Sequence, residues 1–168
     1  MLRKLVLVIL FLLSMGAIFS KEANPKQIKI SIQEDGVSVA NQKLNPSLKI
    51  EDYEPIFGTY DVKENREDGV YYTWDKLGIK VREDRNTLTI NQLSIYLVVS
   101  RASDTKKPFS GVVNVFGKDI NAKVTPAKFP NDIICQQIFC TFKSEVANVN
   151  VNLTEDKRNF KLILAKIE

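Results

Sequence analysis

The sequence contains no histidine among its 168 residues. This absence excludes Ser-His-Asp and Cys-His catalysis, zinc sites built on histidine, and haem bound through imidazole. It also removes the side chain whose charge most often changes near neutral pH. Tryptophan occurs once and cysteine twice. Paired carboxylates therefore remain as the main route to catalysis.

Acidic residues occur in groups at 51–54, 67–68 and 83–84. A glycosidase needs two carboxyl groups about 5 to 10 Å apart in a cleft, and nothing in these segments beyond their charge indicates one. The EDG and REDRN segments also lack the spaced oxygen ligands of an EF-hand calcium loop. We therefore expect no catalytic residues, no metal site and no cofactor, and we predict that the chain is not an enzyme.

The first twenty residues have the form of a secretory signal peptide. Arg3 and Lys4 precede an apolar run from Leu5 to Phe19, which is short for a helix that spans a bilayer. We expect cleavage after Ser20, with an uncleaved anchor as the alternative. No cysteine lies near this position, so the protein is not predicted to be a lipoprotein. The expected location is periplasmic or secreted, with no stable membrane span after cleavage.

The charge balance does not indicate nucleic acid binding. The chain has 24 Lys and Arg residues against 20 Asp and Glu, and loss of Arg3 and Lys4 with the signal would leave 22 against 20. A nucleic acid surface needs basic residues clustered on one face, whereas the basic runs here are short. We expect no nucleic acid partner.

Residues 28–41 have the pattern of a β-hairpin. Apolar and polar residues alternate on both sides of Asp35-Gly36, a pair that favours a type I′ turn. In that register Ile32 faces Val39. The apolar side chains of both strands would then lie on one face.

Residues 47–58 are predicted to form one short helix. Apolar residues recur at helical spacing, acidic residues crowd the first turn, and Gly58 suits the C-cap. Pro55 limits the helix to about two turns, because proline is tolerated only near a helix start.

The segment GVYYTWDKLGIKV, residues 69–81, contains the single tryptophan, Trp74. Alternation places Tyr72 and Trp74 on one face of a strand, and DKLG makes a tight turn into the next strand. This pattern favours burial of Trp74 in a core. The alternative is an exposed aromatic anchor with Tyr71 and Asp75 beside it. These three residues, Tyr71, Trp74 and Asp75, are the candidate binding residues.

The polar segment 100–108 is predicted to link two similar halves, residues 21–99 and 109–168, packed as one globular unit. Each half has the pattern of a hairpin, a connector and three strands, and in the second half the hairpin turn is expected at Gly117-Lys118. The fold class is therefore α+β, mostly antiparallel β-sheet with one short helix.

Cys135 and Cys140 are the only cysteines. In an exported protein a lone pair would form a disulfide by default. On one straight strand their Cα atoms would be about 17 Å apart, whereas a disulfide needs roughly 7 Å or less. The bond thus requires a bend around Gln136 and Gln137. A disulfide and two buried free thiols both remain open.

The order of these segments is a hairpin, a helix ending in IFG, then YYTWDKLGIKV and PFSGVVNVFGKDI. It resembles an uncharacterised family of exported or cell-envelope bacterial domains. That family has a helix ending in Leu-Gly, a Tyr-x-Trp-Asp-x-Leu-Gly-Ile-like segment and a later Phe-Ser-Gly strand. The similarity covers residues 28 to about 124, and Phe57 stands where the family has leucine. The matching residues are Phe57, Gly58, Tyr72, Trp74, Asp75, Leu77, Gly78, Ile79, Phe109, Ser110 and Gly111.

The resemblance implies no assigned activity. The layout is also similar to small envelope modules of the outer-membrane assembly and β-lactamase-inhibitor type, which bind proteins, although this is an analogy of fold. We expect an exported, non-enzymatic domain that binds an unknown protein partner in the envelope or outside the cell. The alternative is a small carbohydrate-binding protein or a carboxylate-dependent hydrolase. A concave pocket that joins two carboxylates to Trp74 would favour that alternative.

Overall fold

The structure is a computed structural model that describes residues 28–45, 47–99, 105–121, 134–136, 139–143, 147–153 and 160–167. The predicted signal peptide and residues 100–104 of the predicted linker lie outside these ranges. Within the ranges, no helix has the length and apolar character needed to cross a membrane.

The described residues form one helix and thirteen strands. Helix α1 spans Ile50–Phe57. The predicted α+β class, mostly antiparallel with a single short helix, is confirmed. The strands are β1 (Lys29–Gln33), β2 (Gly36–Val39), β3 (Gln42–Lys43), β4 (Val62–Arg66), β5 (Gly69–Trp74), β6 (Ile79–Glu83), β7 (Ile90–Tyr96), β8 (Val112–Val115), β9 (Lys118–Ile120), β10 (Ile134–Gln136), β11 (Phe139–Lys143), β12 (Ala147–Leu153) and β13 (Phe160–Ile167).

The strands form two sheets. Sheet A has the order β3-β2-β1-β8-β9, and sheet B has the order β10-β11-β12-β13-β7-β6-β5-β4. The β1–β8 pair is parallel and the other described pairs are antiparallel. β1 and β8 join the two halves of the chain in sheet A, and β7 and β13 join them in sheet B. Both halves therefore contribute to both sheets.

Alternate residues of both sheets form one hydrophobic core. Sheet A contributes Ile30, Ile32 and Val39, which are fully buried. Because side chains alternate across a strand, the opposite face of each strand is more polar. The buried side chains from sheet B include Ile79, Val81, Leu93, Ile95, Val149, Val151 and Ile163.

The first hairpin forms in the predicted segment, but its register was predicted wrongly. Ile32 pairs with Val37 rather than Val39, because Glu34–Asp35 forms the loop, one residue earlier than predicted. Gly36 instead begins β2 with a φ of 134°, which favours glycine. The register differs by two residues, so the apolar side chains still share one face.

The turn between β8 and β9 is also displaced from its predicted position. Val115 pairs with Lys118, so Phe116 and Gly117 form the loop instead of Gly117 and Lys118. Their φ angles are 48° and 80°, as a type I′ turn requires at both central positions. The prediction failed because a phenylalanine occupies a position where glycine or asparagine is usual.

Helix α1 ends at Gly58 as predicted and begins after Lys49. The Asp52 carboxylate accepts the Lys49 N–H at 2.9 Å. Gly58 has a φ of 78°, and its N–H donates to the Glu54 carbonyl at 2.8 Å. Pro55 lies inside the helix rather than near its start. In a helix of eight residues the proline removes one hydrogen bond near the end, so the helix still forms.

Sheet B repeats one arrangement in its two halves. β4–β7 and β10–β13 are both four-stranded antiparallel meanders that meet at β7 and β13. Ile79 pairs with Ile95 as Val149 pairs with Ala165, a shift of 70 residues, and the irregularity in β6 recurs in β12 at the same shift. Among the described residues, each meander thus has four strands, rather than the three predicted for each half. The β7–β13 pairing is symmetric about the pair Ser94 and Leu164, which are separated by the same 70 residues.

Tyr53 in α1 carries the buried polar side-chain atom that lacks a hydrogen-bond partner among the described residues. Its side chain is 0% exposed, and its ring centroid lies 6.0 Å from that of Phe57. Burial, and secondarily the charge of Asp52, raises the pKa of the phenol well above its ordinary value. An unpaired buried hydroxyl lowers the free energy of unfolding by roughly 1–3 kcal/mol. Packing of this helix against the core therefore includes a destabilising contribution from Tyr53.

We expect Tyr53→Phe to raise the free energy of unfolding by about 1 kcal/mol, because it removes the unpaired hydroxyl and keeps the ring. The unfolded phenol ionises near pH 10 while the folded phenol stays neutral. Stability is therefore lost as the pH rises above about 10, and the variant should lose less there. Urea unfolding at neutral and alkaline pH measures both effects. A variant less stable than the parent at neutral pH would show that the hydroxyl has a partner.

Candidate functional site

The candidate residue Trp74 lies in the core. Its side chain is 2% exposed, and its indole Nε1–H donates to the Gly58 carbonyl at 2.7 Å. Its ring centroid lies 5.1 Å from that of Phe57 and 6.4 Å from that of Tyr60, and both contacts are edge-on. The burial that alternation predicts for Trp74 is confirmed. The indole connects the end of α1 to β5 through both packing and its polar N–H.

The turn after Trp74 is held by the segment 105–109. The Asp75 carboxylate, 8% exposed, lies 2.5 Å from the Lys106 ammonium. Asp75 raises the pKa of Lys106, first through this hydrogen bond and then through its charge. The Asp75 carbonyl accepts the Lys107 N–H at 3.0 Å. The carboxylate and the carbonyl of Asp75 therefore both bind residues of the same chain.

Gly78 packs closely against the 105–109 segment. Its φ is 72°, and a Cβ there would lie 2.2 Å from the Phe109 nitrogen. Phe109 N–H donates to the Tyr96 carbonyl at 2.7 Å, and Tyr96 N–H donates to the Gly78 carbonyl at 2.9 Å. We call this region the aromatic junction, consisting of residues 57–58, 74–78 and 105–109.

A cleft of about 290 Å³ opens beside the aromatic junction, between the end of α1, Asp61 and the turn after Trp74. Asp61 Oδ2 accepts the Asp75 N–H at 2.8 Å. Two carboxylates therefore lie near Trp74, but that of Asp75 is paired with Lys106 and nearly buried. Carboxylate chemistry needs both groups to face a substrate. Of these two carboxylates, that of Asp61 lines the cleft and that of Asp75 does not.

Tyr71 lies on the opposite face of β5 from Trp74. Its hydroxyl donates to Asp68 at 2.5 Å, and the Arg66 guanidinium lies 4.6 Å from its ring centroid. The hydrogen bond from Tyr71 lowers the pKa of Asp68, and Arg82 at 3.3 Å adds to the effect. The three candidate binding residues thus do not meet in one site.

The acidic groups have local structural roles. Asp52 caps α1, Asp68 binds Tyr71, and Asp84 Oδ1 accepts two backbone N–H groups of its own turn. In the described part of the chain, no group of three or more His, Cys, Asp or Glu side chains is placed to hold a metal ion.

Sequence reasoning missed β4, which forms one edge of sheet B. β4 pairs with β5 on one side, and no described strand pairs with its other side. Its residues are exposed apart from Glu64, which is half-buried. The sequence did contain a signal, because EDGV occurs at 34–37 and again at 67–70. Both copies place Glu-Asp in the loop of a hairpin.

A family model matches residues 29–129 of the chain. The matched part contains α1, strands β1–β9 and the aromatic junction. A search of curated proteins and a search of solved structures gave no match. Because the family model covers more than half of the 168 residues, the chain belongs to the family described as Domain of unknown function (DUF7738).

Proposed function

We propose that this chain is an exported, non-enzymatic protein-interaction domain of the bacterial envelope, and that its partner adds an extended segment to β4. The observation that carries this proposal is the outer edge of β4, which no described strand occupies. Such an edge offers a row of backbone N–H and C=O groups to another chain.

The charged side chains of β4 are held against their own sheet. Lys63 Nζ lies 5.2 Å from the ring centroid of Tyr72, on the core-side face of β5. Arg66 binds Glu64 at 2.6 Å and stacks on Tyr71, on the other face. Charges on an edge strand oppose indiscriminate pairing. Because these side chains bind residues on the two faces of sheet B, they do not cover the outer edge of β4. The backbone of that edge remains available to a partner segment whose charges complement them.

The cleft beside the aromatic junction lies at the beginning of β4. Asp61 lines the cleft and directly precedes Val62, whose side chain is 36% exposed. A segment paired with β4 would therefore pass the cleft and place one of its side chains there. In strand addition the backbone bonds provide affinity and such pockets provide specificity.

Two proline substitutions in the full chain test this proposal. Successive N–H groups of an edge strand point alternately towards the neighbouring strand and outwards. Of Glu64→Pro and Asn65→Pro, one should therefore break a bond to β5 and destabilise the fold, and the other should remove an outward donor. Urea unfolding identifies which is which, and crosslinking capture in the producing cells reports partner binding.

We expect the proline variant of near-normal stability to lose the captured partner. Val112→Ala in β8 is the control, because Val112 is also exposed and lies in the other sheet. Capture of the same partner at parental yield by the stable proline variant would refute strand addition at β4.

Export would also account for the cysteine pair. The β10–β11 hairpin places Cys135 directly opposite Cys140. Opposed residues of antiparallel strands have Cα atoms about 4.5–5.5 Å apart, which a disulfide can bridge. The hairpin supplies the bend that a single strand would lack. We therefore propose a Cys135–Cys140 disulfide in the exported protein.

We expect protein from the exported fraction to resist thiol alkylation until a reductant is added. Intact mass after alkylation in denaturant, with and without prior reduction, measures this directly, because Cys140 is 1% exposed and a buried thiol of the folded protein would also resist the reagent. Cys140→Ser, which leaves one thiol, is the control for accessibility to the reagent. Alkylation of both cysteines in the unreduced exported protein would contradict both the disulfide and the predicted compartment.

A further inference from the structure

The charges at the β4 edge of sheet B are antisymmetric about Asn65. From residue 63 to residue 67 the sequence reads KENRE, so a positive and then a negative charge precede Asn65, and a positive and then a negative charge follow it. Glu64 is half-buried and the other four residues are exposed. A copy of this segment that runs in the opposite direction therefore places each charge opposite one of the other sign.

The backbone of Asn65 faces away from β5. Arg66 pairs with Gly69 across the two-residue loop Glu67–Asp68, and in such a turn the C=O of the first residue accepts the N–H of the fourth. Arg66 therefore points its backbone groups towards β5. Because successive residues of an edge strand alternate in this respect, the N–H and C=O of Asn65 point outwards, as do those of Lys63. Of the two positions chosen for proline, Asn65 is thus the one expected to carry the outward donor.

Charge and backbone together select one register for two copies of β4. An antiparallel pair of identical strands has a twofold axis, so one residue lies opposite its own copy. A centre at Lys63, Glu64 or Arg66 would place like charges directly opposite each other, which destabilises a sheet. A centre at Val62 would bring β4 against residues that precede the strand. With Asn65 at the centre, Glu64 lies opposite Arg66 of the second copy, and the two Asn65 backbones exchange both hydrogen bonds.

We propose that the partner that pairs with β4 is a second copy of this chain. This inference rests on the proposed strand addition and names its partner. Two copies related by a twofold axis present the same patch to each other, so the patch has to be self-complementary. The β4 edge meets this requirement with two Glu64–Arg66 pairs and two Lys63–Glu67 pairs between the copies. In this register the β4–β5 loop of the second copy lies beside Val62, at the cleft.

The ion pair within each chain is compatible with this pairing. Arg66 binds Glu64 of its own strand at 2.6 Å, and the two side chains are 43% and 42% exposed. An exposed pair of this kind contributes little to the stability of the chain. The guanidinium has five N–H donors, so Arg66 can bind two carboxylates together. In the dimer, Glu64 and Arg66 of both copies therefore form a ring of four alternating charges on the face of sheet B that carries Tyr71.

Sedimentation velocity of the protein purified from the producing cells tests the proposal. Concentrations of roughly 0.01 to 1 mM are suitable, because strand addition buries a small area and small interfaces are weak. We expect the weight-average mass to rise from that of one chain towards that of two. Glu64→Arg and Arg66→Glu should each raise the dissociation constant by about tenfold or more, since each sets like charges opposite each other. An equimolar mixture of the two variants should regain the parental affinity, because one edge is then positive at 64 and 66 and the other is negative.

Lys43→Glu is the matched control. It reverses one charge of an exposed ion pair, with Asp35, in the edge strand β3 of sheet A. We expect this variant to keep the parental dissociation constant. Urea unfolding should show near-parental stability for all three variants, so that loss of the dimer reports on the edge and not on the fold.

Two results would overturn the second copy as the partner. One is a parent protein that stays monomeric at about 1 mM, and the other is a mixture of the two variants that associates no better than either variant alone. Strand addition at β4 fails separately, by the proline test. A monomeric parent that is captured with a different protein, which the stable proline variant loses, would leave strand addition standing and exclude only the second copy.

Discussion

Gly78→Ala should lower the free energy of unfolding by about 3 kcal/mol. The new Cβ would lie 2.2 Å from the Phe109 nitrogen and 2.6 Å from the Pro108 carbonyl carbon, both backbone atoms. Backbone atoms cannot relieve such a clash by rotation about a side-chain bond. The 105–109 segment would have to move, and the Phe109–Tyr96 hydrogen bond would be lost. Urea unfolding followed by circular dichroism measures the change.

Gly117→Ala is the matched control. Gly117 has a similar φ of 80°, but a Cβ there would meet no atom within 4 Å. Its substitution should therefore lower the free energy of unfolding by about 1 kcal/mol, which is the effect of backbone strain without a steric clash. The difference between the two variants isolates the steric part at Gly78. Equal losses would show that the 105–109 segment does not pack against this turn.

Trp74→Ala should lower the free energy of unfolding by about 4 kcal/mol. The indole is 2% exposed, packs against Phe57 at 5.1 Å and donates to the Gly58 carbonyl. Truncation would leave a cavity and an unpaired carbonyl at the end of α1. Trp74→Phe keeps a ring but loses the donor, so an intermediate loss is expected. Denaturant unfolding of both variants gives the comparison.

Leu88→Ala provides the surface control for Trp74. Leu88 is 57% exposed, so its truncation should change stability by no more than about 0.5 kcal/mol. If Trp74→Ala cost no more than Leu88→Ala, the aromatic junction would not be a core. Trp74 would then have to be reconsidered as a surface anchor.

Alternating polarity predicted the buried strands well. Val149 and Val151 alternate with asparagines in the sequence and are buried in β12, and Tyr72 and Trp74 behave alike in β5. Such strands have one buried face, and burial imposes a period of two on the sequence. The helix was predicted for the same reason, since its buried residues recur at helical spacing.

Register and edge strands were harder to predict. β4 is exposed on nearly every residue, so no apolar period marks it. The repeated EDGV at 67–70 was the available signal, because the first copy had already been assigned to a hairpin. The β1–β2 and β8–β9 loops of sheet A were each predicted one residue too late. Turn residues such as Phe116 adopt positive φ only because the surrounding sheet requires it.

The arrangement of the candidate site residues depends on contacts between residues that are distant in sequence, and sequence patterns do not predict such contacts. Asp75 and Lys106 are far apart in sequence, and no spacing pattern connects them. Sequence placed Tyr71, Trp74 and Asp75 together because they are adjacent, whereas strand alternation and packing separate them.

Site-specific photo-crosslinking in the producing cells tests whether a partner adds a strand to β4. A photoreactive residue would replace Val62 at the β4 edge, or Val112 in sheet A as the control, since the two are 36% and 39% exposed. Strand addition at β4 predicts a discrete crosslinked protein from position 62, the same in repeated experiments, and none from position 112. The same product from both positions, or no product from position 62, would contradict it.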